Sequence, residues 1–165
     1  MRDVGGRQKP GDADTGYPFG QKVHPANGEC LLKYLLETST CVYLLNGNSA
    51  LKARVKDVGV YSLAVANCVL AELYFGARNS KKVDENIQRI EEFKKNLIIL
   101  SDSEESARRF GKIKAGLRTS GKLIEDFDIL IASVALAHNC ILITNNTGHF
   151  ERIEGLQIEN WYKSE

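Results

Sequence analysis

Residues 129–137 (ILIASVALA) are apolar around the whole circumference of a helix, and the only nearby acids, Asp126 and Asp128, stand just before them. This pattern predicts a helix over 126–137 that is buried on all sides. After the turn His138-Asn139-Cys140, the run Ile141-Leu142-Ile143 halts at Thr144-Asn145-Asn146, which predicts a short strand over 141–144 inside a parallel sheet. The same alternation runs back up the chain. Strands are expected at 33–36, 60–66 and 97–100. Helices are expected at about 39–45, 49–58, 67–78 and 82–95, with a long one from Ser101 or Ser103 to the break at Ser120-Gly121. Thr38 or Ser39, Ser49 and Asn67 are the predicted caps. Past 144, Phe150 and Ile153 anchor a short turn or helix, 156–158 form a weak edge strand, and Trp161 packs at the end. Alternating strands and helices predict an α/β doubly wound domain, whose ligands gather outside the carboxyl ends of its strands.

Residues 1–31 fall outside this pattern. They are rich in Gly, Pro and Asp with almost no periodic apolar positions, and are expected to be a disordered tail or an extension upstream of the working protein. One domain over 32–161 and a short tail at 162–165 account for the rest of the 165 residues. A net charge of +1 means that any nucleic-acid surface must be local. The one candidate lies between Glu105 and Glu125, where no acid occurs but Arg108, Arg109, Lys112, Lys114, Arg118 and Lys122 do. Steps of four, from Arg108 to Lys112 and from Lys114 to Arg118, put these on shared faces. Such a run reads first as a solvated helix face and second as a phosphate-tracking surface.

The four cysteines lack both Cys-x-x-Cys and zinc-ligand spacing. Cys41, Cys68 and Cys140 sit in apolar runs, as small core residues of a protein in a reducing cytosol. No apolar run approaches the length of a membrane span, so a cytoplasmic protein without a membrane partner is expected.

Three acids fall where this topology delivers side chains to a single edge. Glu37 follows the first strand, Glu72 interrupts the apolar face of the helix after the second, and Asp128 opens the buried helix. Singly, each has an ordinary reading: an acid favoured by a helix dipole, or a partner for a nearby cation. Together they repel unless a cation joins them, and an all-oxygen donor set suits Mg²⁺ or Mn²⁺.

The stretches KYLLETSTCVYLLNG (33–47), VLAELYFGARNS (69–80) and GKLIEDFDILIASVALAHNCILITNNTGHFERIEGLQIENW (121–161) resemble, in order, three motifs of PIN-domain proteins of the VapC toxin type. The resemblance covers about 32–161. It implies a three-layer, Rossmann-like α/β fold with a central parallel sheet flanked by helices. It also implies a metal-dependent endoribonuclease, usually a homodimer, neutralised by a cognate VapB-like antitoxin. By position it makes Glu37, Glu72 and Asp128 the metal-binding, catalytic acids and Ser39 and Thr144 their polar supports; Asp126 matches no ligand. The family often carries a fourth acid after the last buried strand. Asn145, Asn146 and His149 stand there instead, and Asn146 is counted with the supporting residues. The family's first acid is aspartate, so Glu37, one methylene longer, predicts a weakened nuclease.

The reading is thus a Mg²⁺- or Mn²⁺-dependent ribonuclease cutting tRNA or another structured RNA, with Arg108, Lys112, Lys114 and Arg118 holding the RNA backbone. The alternative is a catalytically impaired PIN domain retained for antitoxin binding and operator autoregulation. A phosphatase or receiver domain is disfavoured, because no Asp-x-Asp follows the first strand and no Gly-rich phosphate loop is present.

Overall fold

The computed structural model describes residues 32–162. The calls on 1–31, including Cys30, and on 163–165 lie outside the described residues. Five strands form one sheet in the order β3-β2-β1-β4-β5, with every neighbouring pair parallel. They are β1 (Tyr34–Leu36), β2 (Leu63–Ala66), β3 (Ile98–Leu100), β4 (Ile141–Ile143) and β5 (Ile158–Glu159). The helices are α1 (Thr38–Leu45), α2 (Ser49–Val58), α3 (Asn67–Arg78), α4 (Val83–Lys94), α5 (Glu104–Thr119), α6 (Asp126–Ala137) and α7 (Thr147–Phe150). This is the three-layer α/β fold expected.

The apolar pattern explains the layering. Leu35, Leu36, Val65 and Leu142 are fully shielded in strands whose neighbours cover both faces. In α6, the run from Ile129 to Ala135 is buried save for half-buried Leu130, and α6 spans the residues the periodicity indicated. Truncating a side chain such as Ile131 to alanine costs about 2–5 kcal/mol. Phe150, Ile153 and Trp161 are buried as expected. Packing extends one residue past 161: half-buried Tyr162 stands edge-on to Tyr43 and donates to Thr40 Oγ1 at 3.3 Å.

Several boundaries move by one residue, for a common reason. Where a strand feeds straight into a helix, its extended last residue serves as the cap. Glu37 caps α1, so Thr38 and Ser39 lie inside the first turn. Ala66 (φ −82°, ψ 155°) precedes α3, so Asn67 is helical and donates instead to Ser101 Oγ at 3.2 Å. Asn48, not Ser49, caps α2 by accepting from Leu51 N at 3.0 Å. Ser103 caps α5 in a reciprocal box with Ser106. The predicted strand 60–66 begins only at Leu63. Gly59, at φ +81°, turns the chain into a 3₁₀ turn over Val60–Ser62, and the Ser62 hydroxyl donates back to Gly59 O at 2.7 Å.

Connections after β1 lead to one side of the sheet and β4 lies on the other. The carboxyl ends of β1 and β4 therefore flank the point where strand order reverses, where an open α/β sheet leaves a crevice. No helix among the described residues is long and apolar enough to cross a membrane.

Candidate active site

Glu37 and Thr144 face each other across this reversal. The Glu37 backbone N donates to Ile143 O at 3.1 Å, which registers the end of β1 on the end of β4. Glu37 is only 7% exposed, and its carboxylate curls back over its own helix. It accepts from Ser39 N at 3.0 Å and from the Ser39 and Thr144 hydroxyls, the last at 3.4 Å. Ser39 and Thr144, the two residues the resemblance makes polar supports, both hydrogen-bond to Glu37. Thr144 Oγ1 also accepts from Asn146 N at 2.9 Å, which fixes the turn into α7.

The second and third acids come from α3 and α6. Glu72 accepts from the Thr38 hydroxyl. Burial raises its carboxyl above the ordinary glutamate range. The Thr38 hydrogen bond opposes that rise, and the negative charges of Glu37, Asp128 and Glu125 add to it. Asp128 Oδ2 lies 2.9 Å from His149 Nδ1 on α7. A carboxylate only accepts, so Nδ1 carries the proton and donates it. The Asn146 Nδ2 lies 2.7 Å from the same ring nitrogen.

All three predicted acids therefore sit at one edge and act on one another electrostatically. They are not yet gathered as ligands. Among the described residues no three His, Cys, Asp or Glu side chains are grouped closely enough to hold an ion. Each carboxylate is instead held by a local donor: Ser39, Thr38 or His149. The donor set still fits a hard dication, being carboxylate oxygen, partly shielded from water and mutually repulsive.

Three members of this edge went unassigned in the sequence reading. Thr38 was read only as a cap. His149 was noted only as standing where an acid is usual. Glu125, just before α6, adds charge near Glu72. The signal for Thr38 is positional, at the first residue of the helix that follows β1; His149 lies in the short helix after β4, and Glu125 just before α6. The basic residues divide. Arg108 is paired with Glu104 and Lys114 with Asp126 at 2.7 Å, whereas the side chains of Lys112 and Arg118 have no ion-pair partner among the described residues. A groove of about 280 Å³ between α1, α3 and α4 is lined by Val42, Leu45, Leu73, Ala77 and Ile90, and Glu72 also lines it.

The pattern of the PIN domain family matches residues 34–156. Ribonuclease VapC2 of Haemophilus influenzae is 37% identical over 131 residues, covering 79% of this chain and 99% of its own length. The tRNA(fMet)-specific endonuclease VapC of Shigella flexneri is 30% identical over 131 residues, with the same two coverages. VapBC2 from Rickettsia felis, solved bound to a DNA fragment from its promoter, matches with a TM-score of 0.74 at 34% identity, over 79% of this chain and 99% of that one.

Proposed function

The chain belongs to the PIN-domain family, and on that footing we propose that it is a divalent-metal-dependent endoribonuclease of the VapC toxin type, acting on tRNA or another structured RNA. One observation carries the reading: three acids, Glu37 after β1, Glu72 on α3 and Asp128 on α6, lie near the point where strand order reverses, and burial first, then the charges of Glu37 and Asp128, raise the carboxyl of Glu72. Such repulsion is relieved by a bound dication. Glu37, Glu72 and Asp128 would hold Mg²⁺ or Mn²⁺, which would supply an activated water and offset charge on the phosphoryl oxygens. Thr144 and Ser39 hold Glu37, His149 holds Asp128, and Thr38 holds Glu72, so each acid has its own hydrogen-bond donor. The test is cleavage of labelled tRNA by the full chain with Mn²⁺ and again after EDTA. Metal-dependent internal cuts support the reading, and cutting that persists in EDTA contradicts it.

The partner of this enzyme is a VapB-like antitoxin. The groove beside Glu72, lined by Val42, Leu45, Leu73, Ala77 and Ile90 with Asn46, Asn86 and Arg89 among its polar residues, suits an amphipathic helix and places its occupant against the acid edge. A second reading keeps the partner and drops the catalysis: an impaired domain retained for antitoxin binding and operator autoregulation. The observation favouring it is Glu37 itself, whose longer side chain is committed to capping α1.

A further inference from the structure

We propose that the cleft between α5 and the segment after α7 is a phosphodiester-binding subsite, which carries the RNA strand away from the acid edge; this rests on the ribonuclease reading above. The cleft measures about 330 Å³, and its lining includes Arg109, Lys112, Gly116, Arg152, Ile153 and Glu154. Water occupies about 30 Å³ in the liquid, so the space suits a phosphodiester with its sugar and hydration.

Charge and availability distinguish this cleft from the rest of α5. Three of its side chains are cationic and one is acidic. Lys112 has no ion-pair partner among the described residues. Arg152 is braced by backbone carbonyls alone: its Nε donates to Gly148 O at 2.9 Å and its Nη1 to Lys122 O at 3.5 Å. Its charge has no carboxylate partner among the described residues. The Nε of Arg109 lies 2.7 Å from Glu105 Oε1, yet is buried and out of alignment for a hydrogen bond. Arg109 is thus ion-paired with Glu105, as Arg108 is with Glu104 and Lys114 with Asp126, and Lys112 and Arg152 are the cations of the cleft without an ion-pair partner among the described residues. Of the four residues expected to hold RNA, Lys112 is the one that lines the cleft; Arg109 and Arg152 replace the other three.

The cleft also adjoins the site. Gly148, whose carbonyl braces Arg152, is followed by His149, which contacts Asp128 at 2.9 Å. One short helix therefore serves both. A strand whose scissile phosphate lies at the acids meets Arg152 next and Lys112 beyond it.

The test is binding of fluorescently labelled total tRNA to the full chain, in EDTA so that no cutting occurs, over a series of salt concentrations. Lys112→Gln, which breaks no contact of the fold, is expected to weaken binding about fivefold and to lower the salt slope by roughly 0.7–1. Glu154→Gln removes the opposing charge and is expected to tighten binding about twofold, while Arg108→Gln stays within twofold of the parent. The subsite is overturned if the parent does not bind tRNA, or if Lys112→Gln matches the parent in affinity and slope. It is equally overturned if inorganic phosphate binds in a Lys112-dependent way that leaves tRNA affinity untouched. A parent that binds through Lys112 but never cuts with Mn²⁺ removes the ribonuclease reading and leaves the subsite standing.

Discussion

The carboxylate of Glu37 accepts a 3.0 Å hydrogen bond from the backbone N–H of Ser39, so the first acid of the candidate site is also the cap of the helix it introduces. Aspartate reaches the same N–H with one methylene fewer and is among the favoured caps. The extra length is accommodated with the carboxylate hydrogen-bonded to Ser39 and Thr144.

Glu37→Asp is therefore expected to leave the melting temperature nearly unchanged and to raise Mg²⁺-supported cleavage by about tenfold or more. A misplacement on the order of 1 Å can cost about a hundredfold in rate, and Mg²⁺ tolerates displacement poorly. Single-turnover cleavage of tRNA by both proteins measures this. Lower activity in the aspartate variant would mean the site is tuned to glutamate.

Glu37→Ala separates the two roles. Loss of the cap is expected to destabilise the fold by about 0.5–2 kcal/mol. Thermal melting without metal reads that loss directly, because no ligand then contributes.

Glu72 gives a pH signature. Burial first, and then the neighbouring acids, hold its carboxyl above the ordinary glutamate range, so the folded state binds this proton more tightly than the unfolded chain does. That contribution is fully present below the unfolded value and is lost as pH rises through the folded one. At neutral pH and without metal, Glu72→Gln is expected to melt roughly 1–3 °C above the parent. The difference should vanish below the ordinary glutamate range. An equal gain at every pH would assign the effect to packing instead of charge.

His149 holds Asp128 through Nδ1, and a side chain bound to a ligating carboxylate typically controls 10–100-fold in metal affinity or activity, by an order-of-magnitude rule. His149→Ala is expected to weaken Mn²⁺ binding in that range. His149→Asn, whose amide can stand in for the Nδ1–H donor, is expected to restore most of it. Calorimetric titration with Mn²⁺ distinguishes the two.

The layers of this fold were legible because burial and periodicity coincide. Helix α6 could be bounded to the residue because ILIASVALA is apolar all round, and β4 to within one residue because its apolar run stops at Thr144. Caps were less legible. At a strand–helix junction the cap is set by which residue stays extended, and Glu37 and Ala66 do so without being strong capping types. The three acids could be named from their places at strand ends and helix starts. Their hydrogen bonds could not, because Thr38 to Glu72 and His149 to Asp128 join residues far apart in the chain, and packing alone determines such pairs. The basic run on α5 is opposed in part: the acids that pair with it, Glu104, Glu105 and Asp126, lie at or beyond the ends of the acid-free window.

The central claim is that Glu37, Glu72 and Asp128 form one metal-dependent centre for cutting RNA. Asp128 tests it most directly: Asp128→Asn keeps the shape and the side-chain oxygen near His149 but removes the charge. In single-turnover cleavage of tRNA with Mn²⁺, the parent is expected to cut, with activity abolished by EDTA. Asp128→Asn, folded to the same melting temperature without metal within a few degrees, is expected to lose at least about a hundredfold in rate. Cleavage by Asp128→Asn at the parent's rate, with the same dependence on Mn²⁺, would contradict the account.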